Sequence, residues 1–234
     1  MLVQEIMTKE VVAIGPEMPI GDAYTLMEQR NIRHFPVLET NIVGAEGSVP
    51  QDVSAEQGGA TLVGIVSDRD IRAVGSELPN AKPGVTLKDP VRRIMAYPVL
   101  SAHPLDPVEE SASVLRQHKI GAMPVVEDED LVGIVTSTDF LESLVTMTGV
   151  RGTGARLEVE VENRPGALAR LTAAVAERNV NIISVLTHGS DLDRNEEMIS
   201  FVLRVDTIDG RGLADTLKER GFHVLWPPEK GRQP

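Results

Sequence analysis

One stretch of this chain is written twice. Leu62-Val63-Gly64-Ile65-Val66-Ser67-Asp68-Arg69-Asp70 returns as Leu131-Val132-Gly133-Ile134-Val135-Thr136-Ser137-Thr138-Asp139. Each copy reads as an apolar strand, then a hydroxyl residue, then an aspartate three positions on. A unit of this size seldom buries its own core, so two copies are expected to pack together, and a site built by one copy should occur twice. The repeat continues upstream. Val3-Gln4-Glu5-Ile6-Met7 matches Val91-Arg92-Arg93-Ile94-Met95, and Ile32-Arg33-His34-Phe35-Pro36-Val37 matches Ile120-Gly121-Ala122-Met123-Pro124-Val125, both 88 positions apart. The strand motifs are only 69 apart, so the first copy carries 19 extra residues between Val37 and Leu62. That stretch holds Gly44-Ala45-Glu46-Gly47-Ser48 and Gln57-Gly58-Gly59, has little apolar periodicity, and is expected to be a mobile surface loop over about 40–60.

Composition removes several classes of function. A formal net charge of −12 argues against binding nucleic acid or an anionic membrane, which needs basic surface. A small anion in a locally positive pocket is not excluded. The absence of cysteine rules out disulfides, thiolate catalysis and cysteine zinc sites. No basic segment followed by an apolar run opens the sequence, and no apolar stretch approaches the roughly 20 residues that span a bilayer, so a cytoplasmic protein is expected.

Within each copy the pattern predicts a short strand, a helix, a strand, and a further strand running into a helix. Ile20, Ala23, Leu26 and Met27 form a helical stripe after Pro19, as Val108, Ala112 and Leu115 do after Pro107. Pro79, Pro83, Gly84 and Pro90 mark the connection between copies. Phe140, Leu141, Leu144 and Val145 give a last stripe, and Gly149 to Gly154 reads as a flexible linker. A different pattern follows. Leu157, Val159 and Val161 alternate with Glu158, Glu160 and Glu162, a strand with one wet face. Asn163-Arg164-Pro165-Gly166 turns into a helix lined by Leu168, Leu171 and Val175, with Pro165 suited to its first turn. Val180 to Val185 reads as a strand. Ile199, Phe201, Leu203 and Val205 alternate in another. Leu213 and Leu217 mark a helix ending near Gly221, and Phe222, Val224 and Trp226 a last strand. The order βαββαβ predicts a ferredoxin-like sandwich.

The Ser67/Asp70 and Thr136/Asp139 pairs support two readings. Both have the spacing of a capping box, in which the two side chains satisfy free backbone N–H groups. The same aspartate can also accept bonds from vicinal ribose hydroxyls, with the hydroxyl side chain and the helix N-terminus facing a phosphate. Occurring twice in one context favours the second use. Arg33 and His34 are candidate phosphate contacts, and their counterparts are Gly121 and Ala122. Thr8 is matched by Ala96, so the two sites should be unequal. The five histidines are scattered without metal-ligand spacing, and no metal site is expected. Glu127-Asp128-Glu129-Asp130 reads as a solvated turn. Asn163 and Asn181 suit turn and strand-start roles, or a small-molecule site beside the helix that starts near Pro165.

The doubled unit resembles a pair of cystathionine-β-synthase-type (CBS) domains, a Bateman module, over roughly residues 1 to 148. The resemblance rests on the Val-x-x-Ile-Met starts, the x-x-Pro-Val segments and the paired Gly-Ile-Val-[Ser/Thr]-x-x-Asp motifs. It implies regulatory binding of AMP, ADP, ATP or S-adenosylmethionine between the copies. Asp70 and Asp139 would hold ribose, with Ser67 and Thr136 near phosphate. Ile32, Pro36, Ile120 and Pro124 would border adenine, and Thr8, Arg33 and His34 would supply polar contacts. Residues 155 to 227, through Asn163-Arg164-Pro165-Gly166-Ala167-Leu168 and Val180-Asn181-Ile182, resemble an ACT domain. That likeness implies side-by-side pairing and an amino-acid site at Asn163, Gly166 and Asn181, although Val161 stands where a polar residue is sometimes found. The order CBS, CBS, ACT resembles the acetoin-utilisation protein B group.

The expected architecture is α+β: two CBS-type units in a pseudo-twofold pair (1–78 and 79–148), a linker (149–154) and a ferredoxin-like ACT domain with its tail (155–234). The expected function is a non-enzymatic, homodimeric nucleotide sensor without a cofactor, acting on a metabolic enzyme, with no nucleic-acid or membrane partner. An assembly module with vestigial sites, or a subunit of an acetoin-metabolising enzyme, stands as the alternative.

Overall fold

The computed structural model describes residues 1–40, 60–75, 83–188 and 197–228. The loop expected over about 40–60 lies almost wholly outside them. The chain divides into two compact units, Met1–Phe140 and Leu141–Pro234.

In the first unit the two copies fold alike. Helix α1 (Ile20–Arg30) buries Ile20, Ala23, Leu26 and Met27, the stripe expected. Strand β1 (His34–Thr40) pairs antiparallel with β2 (Ala60–Ser67), which runs directly into α2 (Asp68–Arg72). The second copy repeats this with α3 (Val108–His118), β3 (Ala122–Glu127), β4 (Asp130–Thr136) and α4 (Ser137–Met147). The registers also correspond. Pro36 faces Ile65 as Pro124 faces Ile134, and both hairpins slip by one residue just after this point, at Val37/Leu38 and Val125/Val126. The short strand expected before each helix is reduced to a single parallel bridge, Ile14 to Val37 and Ala102 to Val125.

The leading segments cross over. Thr8 bridges Ile134 of the second copy, and Ala96 bridges Ile65 of the first. Val3 is buried with Val108, Leu115 and Met123, whereas Val91 and Ile94 are buried with Phe35, Val37 and Val66. Gly64 and Gly133 make the exchange possible. A Cβ on Gly64 would lie 2.4 Å from Met95 Sδ, and one on Gly133 would lie 2.5 Å from Met7 Sδ. Each methionine thus covers the other copy's strand, and each core is completed by residues from the opposite half.

In the second unit β5 (Ala155–Glu162), α5 (Ala167–Ala176), β6 (Ile182–His188), β7 (Met198–Val205), α6 (Gly210–Glu219) and β8 (His223–Trp226) follow the expected βαββαβ order. The sheet order is β6-β7-β5-β8, all antiparallel, as a ferredoxin-like sandwich requires. Leu157, Leu171, Leu203 and Leu217 are fully buried in its core.

Four local expectations need correction. Pro165 is not in the first turn of α5; that helix starts at Ala167 behind Gly166, whose φ of 84° places it where glycine is favoured. Leu168 is 39% exposed because Ala167 and Ala174, with Leu171 and Val175, fill the inner face. Leu141 and Leu144 on α4 are likewise 64% and 50% exposed, so the stripe points only Phe140 inward. The segment read as a flexible linker is fixed to the second sheet. Ser184 Oγ donates to Thr148 O at 2.9 Å and Arg204 Nη1 to Gly154 O at 3.1 Å, and a Cβ on Gly154 would fall 2.4 Å from Val205 O. These glycines therefore serve close approach.

Candidate functional site

The Ser67/Asp70 pair is a capping box, and the Thr136/Asp139 pair makes the carboxylate half of the same arrangement. Ser67 N and Ser67 Oγ donate to Asp70 Oδ2 at 2.9 and 2.5 Å, and Asp70 N donates to Ser67 Oγ at 3.3 Å. Thr136 N and Oγ1 donate to Asp139 Oδ2, each at 2.7 Å. The structural use foreseen for these pairs is thus complete at Ser67/Asp70, and at Thr136/Asp139 it shows in the bonds to the carboxylate. All the contacts to each carboxylate fall on one oxygen, and a carboxylate offers a second.

Asp70 also borders a cavity of about 400 Å³. Its polar wall comes from the first copy: Arg33 and His34 at the start of β1, and Ser67, Asp68, Arg69 and Asp70 at the β2–α2 junction. These segments are held together by Asp68 N, which donates to Arg33 O at 2.9 Å. Its other wall comes from the second copy and is apolar apart from Lys119: Ala96, Pro98, Val99 and Leu100, then Ile120, Gly121 and Ala122. The crossover of the leading segments puts Ala96 beside Ile65 and so closes this side. A cavity with one apolar and one charged wall suits a ligand that is itself divided between a flat apolar group and an anionic group.

Glycine at 121 lets the His34 ring lie close against the second copy. A Cβ there would lie 3.0 Å from His34 Nε2 and 3.1 Å from Cε1. His34 is half-buried, and burial holds its imidazole below the ordinary value of 6.5 against the opposing charges of Asp68 and Asp70. It is therefore neutral at pH 7. Because the unfolded chain takes up that proton at higher pH than the fold does, His34 costs stability as pH falls below about 6.5.

Of the residues expected at a binding site, the cavity gathers Arg33, His34, Ser67, Asp70 and Ile120. Ile32 lies instead on a smaller cavity of about 150 Å³ with Asn31, Arg33, Asp68 and Arg72. Thr8, Pro36, Pro124, Thr136 and Asp139 do not line the larger cavity. Pro36 and Pro124 are buried, and their carbonyls accept Ile14 N and Ala102 N at 3.1 and 2.9 Å. Arg69 and Lys119 line the cavity and were not foreseen. The signal for Arg69 was its place between Ser67 and Asp70 in the motif. Lys119 had only a position next to Ile120. In the second unit Asn163 N donates to Glu197 O at 2.8 Å and Asn181 O accepts Asp206 N at 2.9 Å, the turn and strand-start roles foreseen for both. No helix among the described residues is long and apolar enough to cross a membrane.

Comparison with known proteins adds a consistent pattern. The CBS domain model matches residues 3–45 and 91–146, and the ACT domain model matches 155–222. A CBS domain-containing protein of Bacillus subtilis, YhcV, is 28% identical over 58% of this chain and 81% of its own length. An inosine-5'-monophosphate dehydrogenase of Methanocaldococcus jannaschii is 24% identical over 77% of this chain, which spans only 31% of that enzyme. A crystal structure from Vibrio cholerae, provisionally described as an acetoin utilization protein, is 29% identical and covers 64% of this chain and 95% of its own, with a TM-score of 0.48.

Proposed function

Because the chain belongs to the CBS-domain proteins and carries an ACT domain behind its CBS pair, we propose that it is a regulatory sensor whose CBS pair binds an adenosine-containing nucleotide. Both kinds of domain are regulatory modules. The observation that carries the reading is the two-walled cavity, with Arg33, His34, Ser67 and Asp70 facing Ala96, Val99, Leu100 and Ile120. In this reading the base lies on the apolar wall, Asp70 accepts the ribose hydroxyls, and Arg33 and His34 meet a phosphate. Ser67 and Arg69 border the same polar wall and complete the phosphate's surroundings. Thr136 and Asp139 hold the second ribose. A ligand seated here touches both copies and so favours the arrangement in which their walls close on it; such a bias is what a sensor requires.

Calorimetry with AMP, ADP, ATP and S-adenosylmethionine tests the reading. Saturable binding of at least one is expected, and no binding at millimolar ligand would leave an assembly module. A phosphate brought to His34 should draw a proton onto it. Binding of AMP near pH 6.5 is therefore expected to take up more proton in wild type than in His34→Gln. The measurement is the dependence of the binding enthalpy on buffer ionisation enthalpy. Equal proton exchange in wild type and His34→Gln would remove His34 from the phosphate site, because the ligand's own phosphate, with a second pKa of about 6, titrates alike in both.

The ACT domain has the features of an assembly element. β6 is an edge strand, and Ile183, Val185 and Leu186 on it are 46%, 37% and 39% exposed. Such an edge is usually covered in the working protein. A homodimer joined there is expected to sediment at twice the 25.3 kDa chain mass, and a concentration-independent monomer would exclude it. Amino-acid binding at Asn163, Gly166 and Asn181, a regulated metabolic enzyme as partner, and a place in acetoin or acetate metabolism belong to the same reading. They rest on family likeness alone.

A further inference from the structure

The two copies are equivalent enough to transfer the cavity wall by wall. Thr8 and Ala96 make corresponding bridges. Asn31 and Lys119 both end their helices in the left-handed region, at φ 52° and 56°. Gly121 O accepts Ser137 N at 3.0 Å as Arg33 O accepts Asp68 N at 2.9 Å. The lining of the Asp70 cavity therefore has a counterpart around Asp139. The charges differ between the two. Arg69 becomes Thr138, Lys119 becomes Asn31, Asp68 becomes Ser137, and apolar Pro98 becomes Glu10. Three cations (Arg33, Arg69, Lys119) stand against two carboxylates around the Asp70 cavity. By repeat position, and among the described residues, the counterpart lining carries Asp139 and Glu10 as carboxylates and Arg33, in the place of Gly121, as its cation.

We infer that the Asp139 cleft is selective for an adenosine compound without phosphate, neutral or cationic at its 5′ position, while the Asp70 cavity takes the phosphorylated one. This rests on the nucleotide reading above and deepens it. The retained carboxylate at Asp139 keeps the means of holding a ribose. The excess of negative charge, with Glu10 in the place of Pro98, opposes a phosphate through like-charge repulsion. A sulfonium or an uncharged 5′ group meets no such penalty. The single basic pair, Arg33 and His34, stands between the two copies, His34 lying against Gly121, and it cannot neutralise two phosphates together.

The experiment is calorimetry of the full chain with AMP, adenosine and S-adenosylmethionine, on wild type and on E10K/T138R, which changes two exposed side chains. Wild type is expected to bind one AMP per chain, and the AMP-saturated protein one further adenosine or S-adenosylmethionine. In D139N that further binding should weaken at least tenfold while AMP binding is unchanged. E10K/T138R should bind two AMP. Two AMP sites in wild type, no second site for either phosphate-free compound, or a single AMP in E10K/T138R would each overturn the inference. If no adenosine compound binds wild type at all, the nucleotide reading itself falls and takes this with it. One AMP without a second ligand removes only the inference.

Discussion

Replacing Asp70 with alanine is expected to weaken AMP binding by about 1.5–3 kcal/mol, the range for hydrogen bonds to a charged group. That is roughly 10- to 150-fold in Kd. The carboxylate lines the cavity, and its contacts to Ser67 fall on Oδ2. A ribose can therefore be received by the other oxygen without dismantling the cap. Asp70 also closes the capping box of α2, so D70A should lose about 1 kcal/mol of stability as well. The comparison that separates the two effects is D139A. It breaks the equivalent bonds from Thr136 but does not touch this cavity. Titration calorimetry should show AMP affinity lost in D70A and kept in D139A. Equal affinity in D70A and wild type removes Asp70 from the site, and equal losses in both variants would mean that the effect is only structural.

Phe35→Ala should be the most destabilising single truncation near the site, by about 3–5 kcal/mol. Phe35 is fully buried, packs in one cluster with Val37, Val66, Val91 and Ile94, and is the largest side chain of that core. Val91 and Ile94 belong to the second copy's leading segment, so the void would open at the seam where the copies exchange residues. Phe35 follows His34 directly, and the same change should loosen the polar wall and weaken AMP binding. Urea denaturation followed by circular dichroism, with and without saturating AMP, measures both. A loss under about 1 kcal/mol would show instead that the site collapses around the missing ring.

Much of this arrangement was legible in the residues because it is local. The stripe Ile20, Ala23, Leu26 and Met27 is buried as its spacing required. The Ser67/Asp70 box depends on residues three apart, and the second unit's alternating strands follow their own periods. Errors arose where apolarity exceeded the core available to receive it. Leu141, Leu144 and Leu168 fit helical spacing, yet small alanines or a single phenylalanine sufficed on the inner side. The linker glycines were misread for a related reason. Their composition suggests freedom, but contacts with Val205 and Ile183 require the missing side chains.

The repeat by itself determined that there are two like halves, that each carries a hydroxyl–aspartate pair, and that only the first holds a basic pair. Periodicity and motif spacing carry those facts because each concerns neighbours within a turn or a strand. Which half completes which was decided by tertiary structure alone. Val-x-x-Ile-Met reads the same at both starts, and only packing places Met7 over Gly133 and Met95 over Gly64. The cavity depends on that exchange, which brings Ala96 to Pro98 opposite Asp70 and adds Arg69 and Lys119 to its charge. Two similar halves thereby acquire unequal walls: their backbones are interchangeable, but the side chains that meet across the seam are not.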